Sequence, residues 1–248
     1  MPKFFINTNQ IEENKIRITG KDVKHIGYVL RMKIGDEITV CDKQTNLNYS
    51  TKIQKIEKDF VLCDITDCMK PFVESNIKIT VFQGIPKSDK MEYIIQKATE
   101  LGAEKIVPVT MIRSVVKLEE NVACKKIQRW QKIAETAAKQ SGRDCIPKIE
   151  MVQKISNICE NIPNYDLMLL AYENEEKTTL KEELKKLKVS SKEVKIGIII
   201  GPEGGLENKE IEELISSGAK SVTLGKRILR TETASIAMIS NIIYEYEM

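Results

Sequence analysis

Apolar and polar residues alternate in short runs at 4–6, 15–19, 37–41, 49–56 and 60–65, which predicts extended strands separated by polar turns. Val23, Ile26, Val29 and Leu30 break that pattern at helical spacing, so the amino-terminal part reads as a small β-barrel carrying one helix. Around Met69, Lys70 and Pro71 the alternation stops, and the boundary between the two predicted domains, 1–71 and 72–248, falls there. Beyond it strands and helices alternate. A strand at 77–82 precedes a helix with Met91, Ile94, Ile95, Ala98 and Leu101 on its buried stripe, Asp89 and Glu92 at its start as a capping box, and Gly102 at its end.

A strand at 105–109 leads into a long helix with Ile127, Trp130, Ile133, Ala134 and Ala137 on one side. Strands at 148–152, 167–171, 195–200 and 221–224 follow, with helices at 179–187, 208–217 and 231–246. The run Ile196, Gly197, Ile198, Ile199, Ile200 is apolar on both faces and belongs inside a parallel sheet. The fold class is therefore α/β with a mostly parallel sheet, preceded by a small β-barrel.

Composition narrows the chemistry. The chain has 248 residues, 42% of them hydrophobic, enough to bury a core. Six cysteines are scattered without a Cys-x-x-Cys pair and His25 is the single histidine, so a disulfide framework, a zinc site and Ser-His-Asp chemistry all lack their residues. No metal is expected. The amino terminus lacks a signal-peptide pattern and no apolar run reaches membrane-spanning length, which predicts a cytoplasmic protein without a membrane partner. The net charge of +3 does not by itself announce a nucleic-acid binder, although the excess of basic residues is greatest in 71–150.

The informative segments are two loops near the carboxyl terminus, each leaving a short apolar strand: Gly201, Pro202, Glu203, Gly204, Gly205, and Leu224 through Ala234. A repeated strand-loop-helix builds a backbone-lined pocket at the carboxyl ends of parallel strands, where α/β sheets bind ligands. Neither loop carries the Walker lysine or the Gly-x-Gly-x-x-Gly order of a dinucleotide site. The second brings Arg227, Arg230, Thr231, Glu232 and Thr233 to the start of an otherwise apolar helix, where Thr231 or Thr233 can cap it.

Gly201 to Leu206, Leu224-Gly225 and Ile228 to Ala234 resemble the signature of the SPOUT (trefoil-knot) RNA methyltransferases, specifically the bacterial 16S ribosomal RNA uridine-N3 methyltransferases. Lys97 to Gly102, Arg113-Ser114-Val115, Ser141-Gly142-Arg143 and His25 to Arg31 ahead of Gly35-Asp36 fit the same family, so the resemblance spans nearly the whole chain. Departures are Lys226 where a proline is frequent, Lys3 where an arginine is usual, and Lys24 for the first of a histidine pair.

The resemblance implies a PUA-like barrel over 1–71 that helps hold RNA, a SPOUT α/β-knot domain over 72–248, and a homodimer. It implies S-adenosylmethionine (SAM) as cofactor, held by Leu170, Ala171, Gly201, Gly204, Gly205, Leu224, Gly225, Ile228, Leu229, Thr233 and Ala234. The substrate it implies is a uridine of 16S rRNA in the small ribosomal subunit. N3 of uracil carries a proton near neutral pH, and a guanidinium lowering its pKa by ~2 units would contribute roughly 2.7 kcal/mol. Arg143 and Arg230 are the candidates for that cation, ahead of Arg113, and Glu232 or Glu203 for the base where burial raises its pKa. Arg17, Lys24, Arg31, Lys33 and Arg113 are the candidate RNA contacts. The same knot could instead methylate a ribose 2′-hydroxyl, and a non-catalytic RNA-binding protein is the reading from another class.

Overall fold

The computed structural model describes residues 1–71, 73–116, 119–188 and 193–248. Phe72, where the sequence places the domain boundary, lies outside them. The chain divides into two compact units: residues 1–74 with 138–146, and residues 75–137 with 147–248. The assignment of 138–146 to the first unit has no counterpart in the sequence pattern.

The first unit contains β1 (Lys3–Ile6), β2 (Ile11–Glu12), β3 (Lys15–Thr19), α1 (Lys21–Lys24), which runs into a π-helical turn at His25–Val29, then β4 (Glu37–Asp42), β5 (Asn48–Ile56) and β6 (Phe60–Met69). They form one sheet in the order β1-β4-β5-β6-β3-β2, antiparallel except where β1 joins β4. In β3 Ile16 and Ile18 are buried while Lys15, Arg17 and Thr19 face solvent, the period-two pattern of a half-buried strand. These isoleucines meet Phe4, Ile6, Ile38, Val40, Ile53 and Val61 in the core, and Val23 and Ile26 close it from the helix.

That unit also buries polar groups. The Asp144 carboxylate accepts from Lys3 Nζ at 2.6 Å, Asn48 Nδ2 at 2.6 Å and the Val73 N–H at 3.0 Å. Glu74 takes Arg143 Nη2 at 2.6 Å and Nε at 3.2 Å, together with the N–H of Asp144 at 2.9 Å. Thus Lys3, the substitute for the usual arginine, keeps a buried ion pair. Burial also governs the thiols, pushing Cys41 up to about 12 and Cys63 up to about 11, whereas Cys68 and Cys124 are exposed. Iodoacetamide at mildly alkaline pH is expected to label Cys68 and Cys124 of the folded protein and to reach Cys41 and Cys63 only after denaturation, which peptide mass mapping reads directly.

The second unit contains β7 (Ile77–Gly84), α2 (Lys90–Glu100), β8 (Lys105–Thr110), α3 (Glu120–Gln140, whose last three residues belong to the first unit), β9 (Lys148–Ile149), β10 (Gln153–Lys154) and α4 (Ile155–Asn161). It continues with β11 (Leu167–Ala171), α5 (Leu180–Lys186), β12 (Val194–Ile200), α6 (Asn208–Ser216), β13 (Lys220–Val222) and α7 (Thr231–Glu247). The sheet is parallel throughout, in the order β10-β8-β7-β12-β11-β13, with β9 also on β8. The all-apolar strand β12 lies between β7 and β11, as a strand buried on both faces must. Trp130 of α3 is 3% exposed and serves as core.

Two local expectations fail for identifiable reasons. The strand predicted at 148–152 is split into β9 and β10, because the neighbouring β8 offers Pro108, which has no N–H to give, between the two paired stretches. The capping box at Asp89 does not form: the Asp89 side chain makes no cap bond, and Glu92 pairs with Arg129 at 2.8 Å instead. An arginine within reach outcompetes a backbone N–H for the same carboxylate.

Candidate active site

Every loop at the carboxyl ends of β11, β12 and β13 contributes to one cleft, which encloses about 410 Å³. This is the edge of a parallel sheet where crossing connections leave room for a ligand. Ile200, Leu206, Leu224, Leu229 and Ala234 supply apolar wall, Gly201, Gly205 and Gly225 supply bare backbone, and Lys90, Glu173, Glu203 and Arg230 supply charge.

Two glycines are required by geometry. A Cβ on Gly201 would stand 2.9 Å from Leu206 Cδ1 and 3.1 Å from the Gly205 carbonyl carbon, so a side chain there would displace Leu206 and press the Gly205 backbone outward by a few tenths of an ångström. Gly225 has φ +116°, a backbone state that side chains rarely adopt, and space around it is open. The first loop is braced from outside. Arg113 Nη1 donates to Gly204 O at 3.1 Å while its Nε pairs with Glu207 at 2.9 Å. The Glu203 carboxylate accepts the Lys87 N–H at 3.1 Å and takes the Lys90 ammonium at 3.0 Å.

The second loop ends in α7. Arg230, not a threonine, occupies its N-cap position and makes no side-chain cap bond. Thr231 instead turns its hydroxyl inward and donates to Gly201 O at 2.6 Å, tying one loop to the other. The expected threonine cap is therefore replaced by a bridge. Glu232 follows in the first turn, where a carboxylate is favoured by the helix dipole. Its Oε2 is buried without a hydrogen-bond partner among the described residues, the Lys90 Nζ standing at 3.5 Å, beyond a good hydrogen bond.

Of the cofactor residues expected from sequence, the cleft is lined by Ala171, Gly201, Gly205, Leu224, Gly225, Ile228, Leu229 and Ala234. Leu170, Gly204 and Thr233 are not in its lining: Leu170 is core, Gly204 faces Arg113, and Thr233 is exposed. Arg230 lines the cleft, but Arg143 belongs to the first unit and is held by Glu74. Glu203 does not become a poised base. Burial opposes its ionisation, yet its own N–H, the Lys90 ammonium and the Lys87 N–H outweigh that and hold its carboxyl below the usual range. Arg17, Lys24, Arg31 and Lys33 are exposed on the first unit, Arg17 with its guanidinium 3.8 Å from the centre of the Phe60 ring. Sequence reasoning missed Lys90, Glu173 and the bridging role of Thr231, since single polar residues at element ends leave no periodic signal.

A family model described as an RNA methyltransferase domain matches residues 73–243, and one described as an RNA methyltransferase PUA domain matches residues 18–66. The ribosomal RNA small subunit methyltransferase E of Bacillus subtilis (strain 168) is 39% identical over 253 aligned residues, covering 100% of this chain and 98% of that protein. Among solved structures, the ribosomal RNA small subunit methyltransferase E of Neisseria gonorrhoeae bound to SAM superposes with a TM-score of 0.85 at 29% identity, over 99% of this chain and 98% of that one. A methyltransferase of Legionella pneumophila in complex with SAM gives 0.85 at 28% identity, over 98% and 97%.

The cleft fits SAM on its own chemistry. Bare glycine backbone beside Ile200, Leu224 and Leu229 suits the flat face and edge of an adenine, and Glu173 in the lining suits a cationic group. Gly201→Ala is expected to force the first loop off its present path, an overpacking cost of roughly 1–3 kcal/mol. Calorimetric titration with SAM should register weaker binding, while a variant binding as tightly as the parent would show that the turn has slack.

Proposed function

The chain belongs to the RNA methyltransferase family of ribosomal RNA small subunit methyltransferase E, and from that premise we propose that it methylates N3 of a specific uridine in 16S rRNA. The observation that carries the reading is the cleft made by three loops at one sheet edge, with glycine backbone, apolar walls and Arg230 in its lining; Glu232, in the first turn of α7, stands outside that lining. SAM, when bound, supplies a methyl group on a sulfonium, an electrophile that needs alignment more than acid catalysis.

The chain's own residues then have to present and deprotonate the acceptor. N3 lies on the Watson-Crick edge, so the uridine must leave any pair or stack to reach the cleft. In this reading Arg230, which lines the cleft, stabilises negative charge on a uracil oxygen, and Glu232, two residues on and outside the lining, receives the N3 proton. Arg143 is not part of this assignment, because Glu74 already holds it. Residues 1–71 hold RNA in this reading through Arg17, Lys24, Arg31 and Lys33, and residues 72–248 carry the reaction. Arg113 acts chiefly as the brace of the glycine loop.

The enzyme works as a homodimer on the small ribosomal subunit in the cytoplasm, without a metal. No described helix is long and apolar enough to cross a membrane, and among the described residues no group of three or more His, Cys, Asp or Glu is placed to hold a metal ion. The test is incubation with labelled SAM and either small subunits lacking the modification or free 16S RNA, followed by mass spectrometry of digested RNA. Label on N3 of one uridine of 16S rRNA is expected. Label on a ribose 2′-oxygen, or SAM binding with no transfer to either RNA, would reject the assignment.

A further inference from the structure

Behind the cleft, three buried polar side chains from two elements form a chain of hydrogen bonds, at whose far end Ser235 Oγ also lies 3.0 Å from the Thr231 carbonyl oxygen. Gln83, the penultimate residue of β7, is 0% exposed, Ser235 of α7 is 0% exposed and Thr231 is 6% exposed. Ser235 Oγ lies 2.5 Å from Gln83 Oε1, Gln83 Nε2 lies 2.8 Å from Thr231 Oγ1, and Thr231 Oγ1 lies 2.6 Å from Gly201 O. A hydroxyl has one proton. Gly201 O can only accept, so Thr231 spends its proton there and must accept from an amide, which places the Gln83 nitrogen toward Thr231 and its oxygen toward Ser235. The second Gln83 proton goes to Gly84 O at 3.0 Å.

Core stability alone does not require this arrangement, because replacing both partners of a buried hydrogen bond by apolar groups of the same shape can be nearly neutral. What the chain does fix is where it ends. The Gly201 carbonyl belongs to the turn in which a Cβ would press on Leu206 and the Gly205 backbone, and Gly201 and Thr231 both line the cleft while Gln83 and Ser235 do not. We infer that Gln83 and Ser235 are positioning residues: acting through Thr231, they lock the Gly201 carbonyl inward and hold the glycine turn in the form that receives SAM. The inference rests on the reading of the cleft as a SAM site.

Titration calorimetry with SAM on the full chain, paired with thermal unfolding without ligand, tests it. Thr231→Val and Gln83→Leu should each weaken SAM binding about tenfold, the worth of one well-made hydrogen bond. Thr231→Ser, which keeps the hydroxyl, should stay within about twofold. The double variant Gln83→Leu/Thr231→Val should unfold no earlier than the worse single variant and bind no more weakly, because one connected chain is broken only once. In steady state the KM for SAM should rise while the KM for RNA does not. Single variants that bind SAM like the parent, or losses that multiply in the double variant, would overturn the inference. Where Gln83→Leu does not fold, the contrast between Thr231→Val and Thr231→Ser decides alone, equal affinities counting against. A parent protein that binds no SAM at all would bring down the cofactor reading, and the inference with it.

Discussion

Arg143→Ala should lower the stability of the first unit by about 3–5 kcal/mol, the cost of leaving a buried charge without its partner. Arg143 and Glu74 side chains are 7% and 13% exposed and meet at 2.6 Å, so truncation strands a carboxylate that water barely reaches. Glu74 reports the same dependence through pH. Burial opposes its ionisation, but the Arg143 guanidinium first, and then Cys145 and the Asp144 N–H, hold its carboxyl below the usual range. A carboxylate depressed in the folded state adds stability above its unfolded pKa and loses it as pH falls through the folded one. Urea titrations should therefore show the parent losing this contribution on acidification below the ordinary carboxylate pKa, and Arg143→Ala lacking it already at neutrality. Arg143→Lys should recover only part, since a single ammonium cannot reproduce the two-nitrogen contact seen at 3.2 and 2.6 Å. Unchanged stability in Arg143→Ala, with turnover abolished, would return Arg143 to the catalytic role the sequence suggested.

Arg143 shows where sequence reasoning stops. Within Ser141-Gly142-Arg143 nothing distinguishes an arginine aimed at a substrate from one aimed at Glu74, because the pairing joins positions 69 residues apart. Elements with strong periodicity were legible: the alternation in β3, the apolar stripe of α2 and the doubly buried β12 all stand where the pattern put them. The cleft was legible in outline, since glycine and the polar run after β13 are local signals, and eight of the expected cofactor residues line it. Its bracing was not. The Thr231 bridge spans 30 residues and the Gln83 contact 148, and both depend on a carboxyl-terminal segment returning over an earlier loop. No hydrophobic period encodes such a return. The split between β9 and β10 was decipherable only with the strand order in hand, because Pro108 acts on the neighbour and not on its own strand.

Glu232→Gln should reduce turnover by about 10²–10⁴-fold, the range that a positioned proton acceptor contributes, while SAM affinity stays close to that of the parent. The glutamine keeps the shape and the place in the first turn of α7 but cannot take a proton from N3. Glu232 Oε2 is the one buried carboxylate oxygen without a hydrogen-bond partner among the described residues, its ion pair with Lys90 being long at 3.5 Å, whereas Glu203 takes the Lys87 N–H at 3.1 Å and the same Lys90 at 3.0 Å. An acceptor already saturated with donors is poorly placed to receive another proton, and Glu232 Oε2 carries fewer of them. Arg230→Ala supplies the complementary measurement, since loss of a cation that acts on the developing uracil charge should lower kcat with little change in the KM for SAM. Single-turnover rates with labelled SAM separate these effects from RNA release. If Glu232→Gln turned over at the parental rate, solvent would be the proton acceptor and positioning of the uridine by Arg230 would have to account for the reaction without an enzymic base.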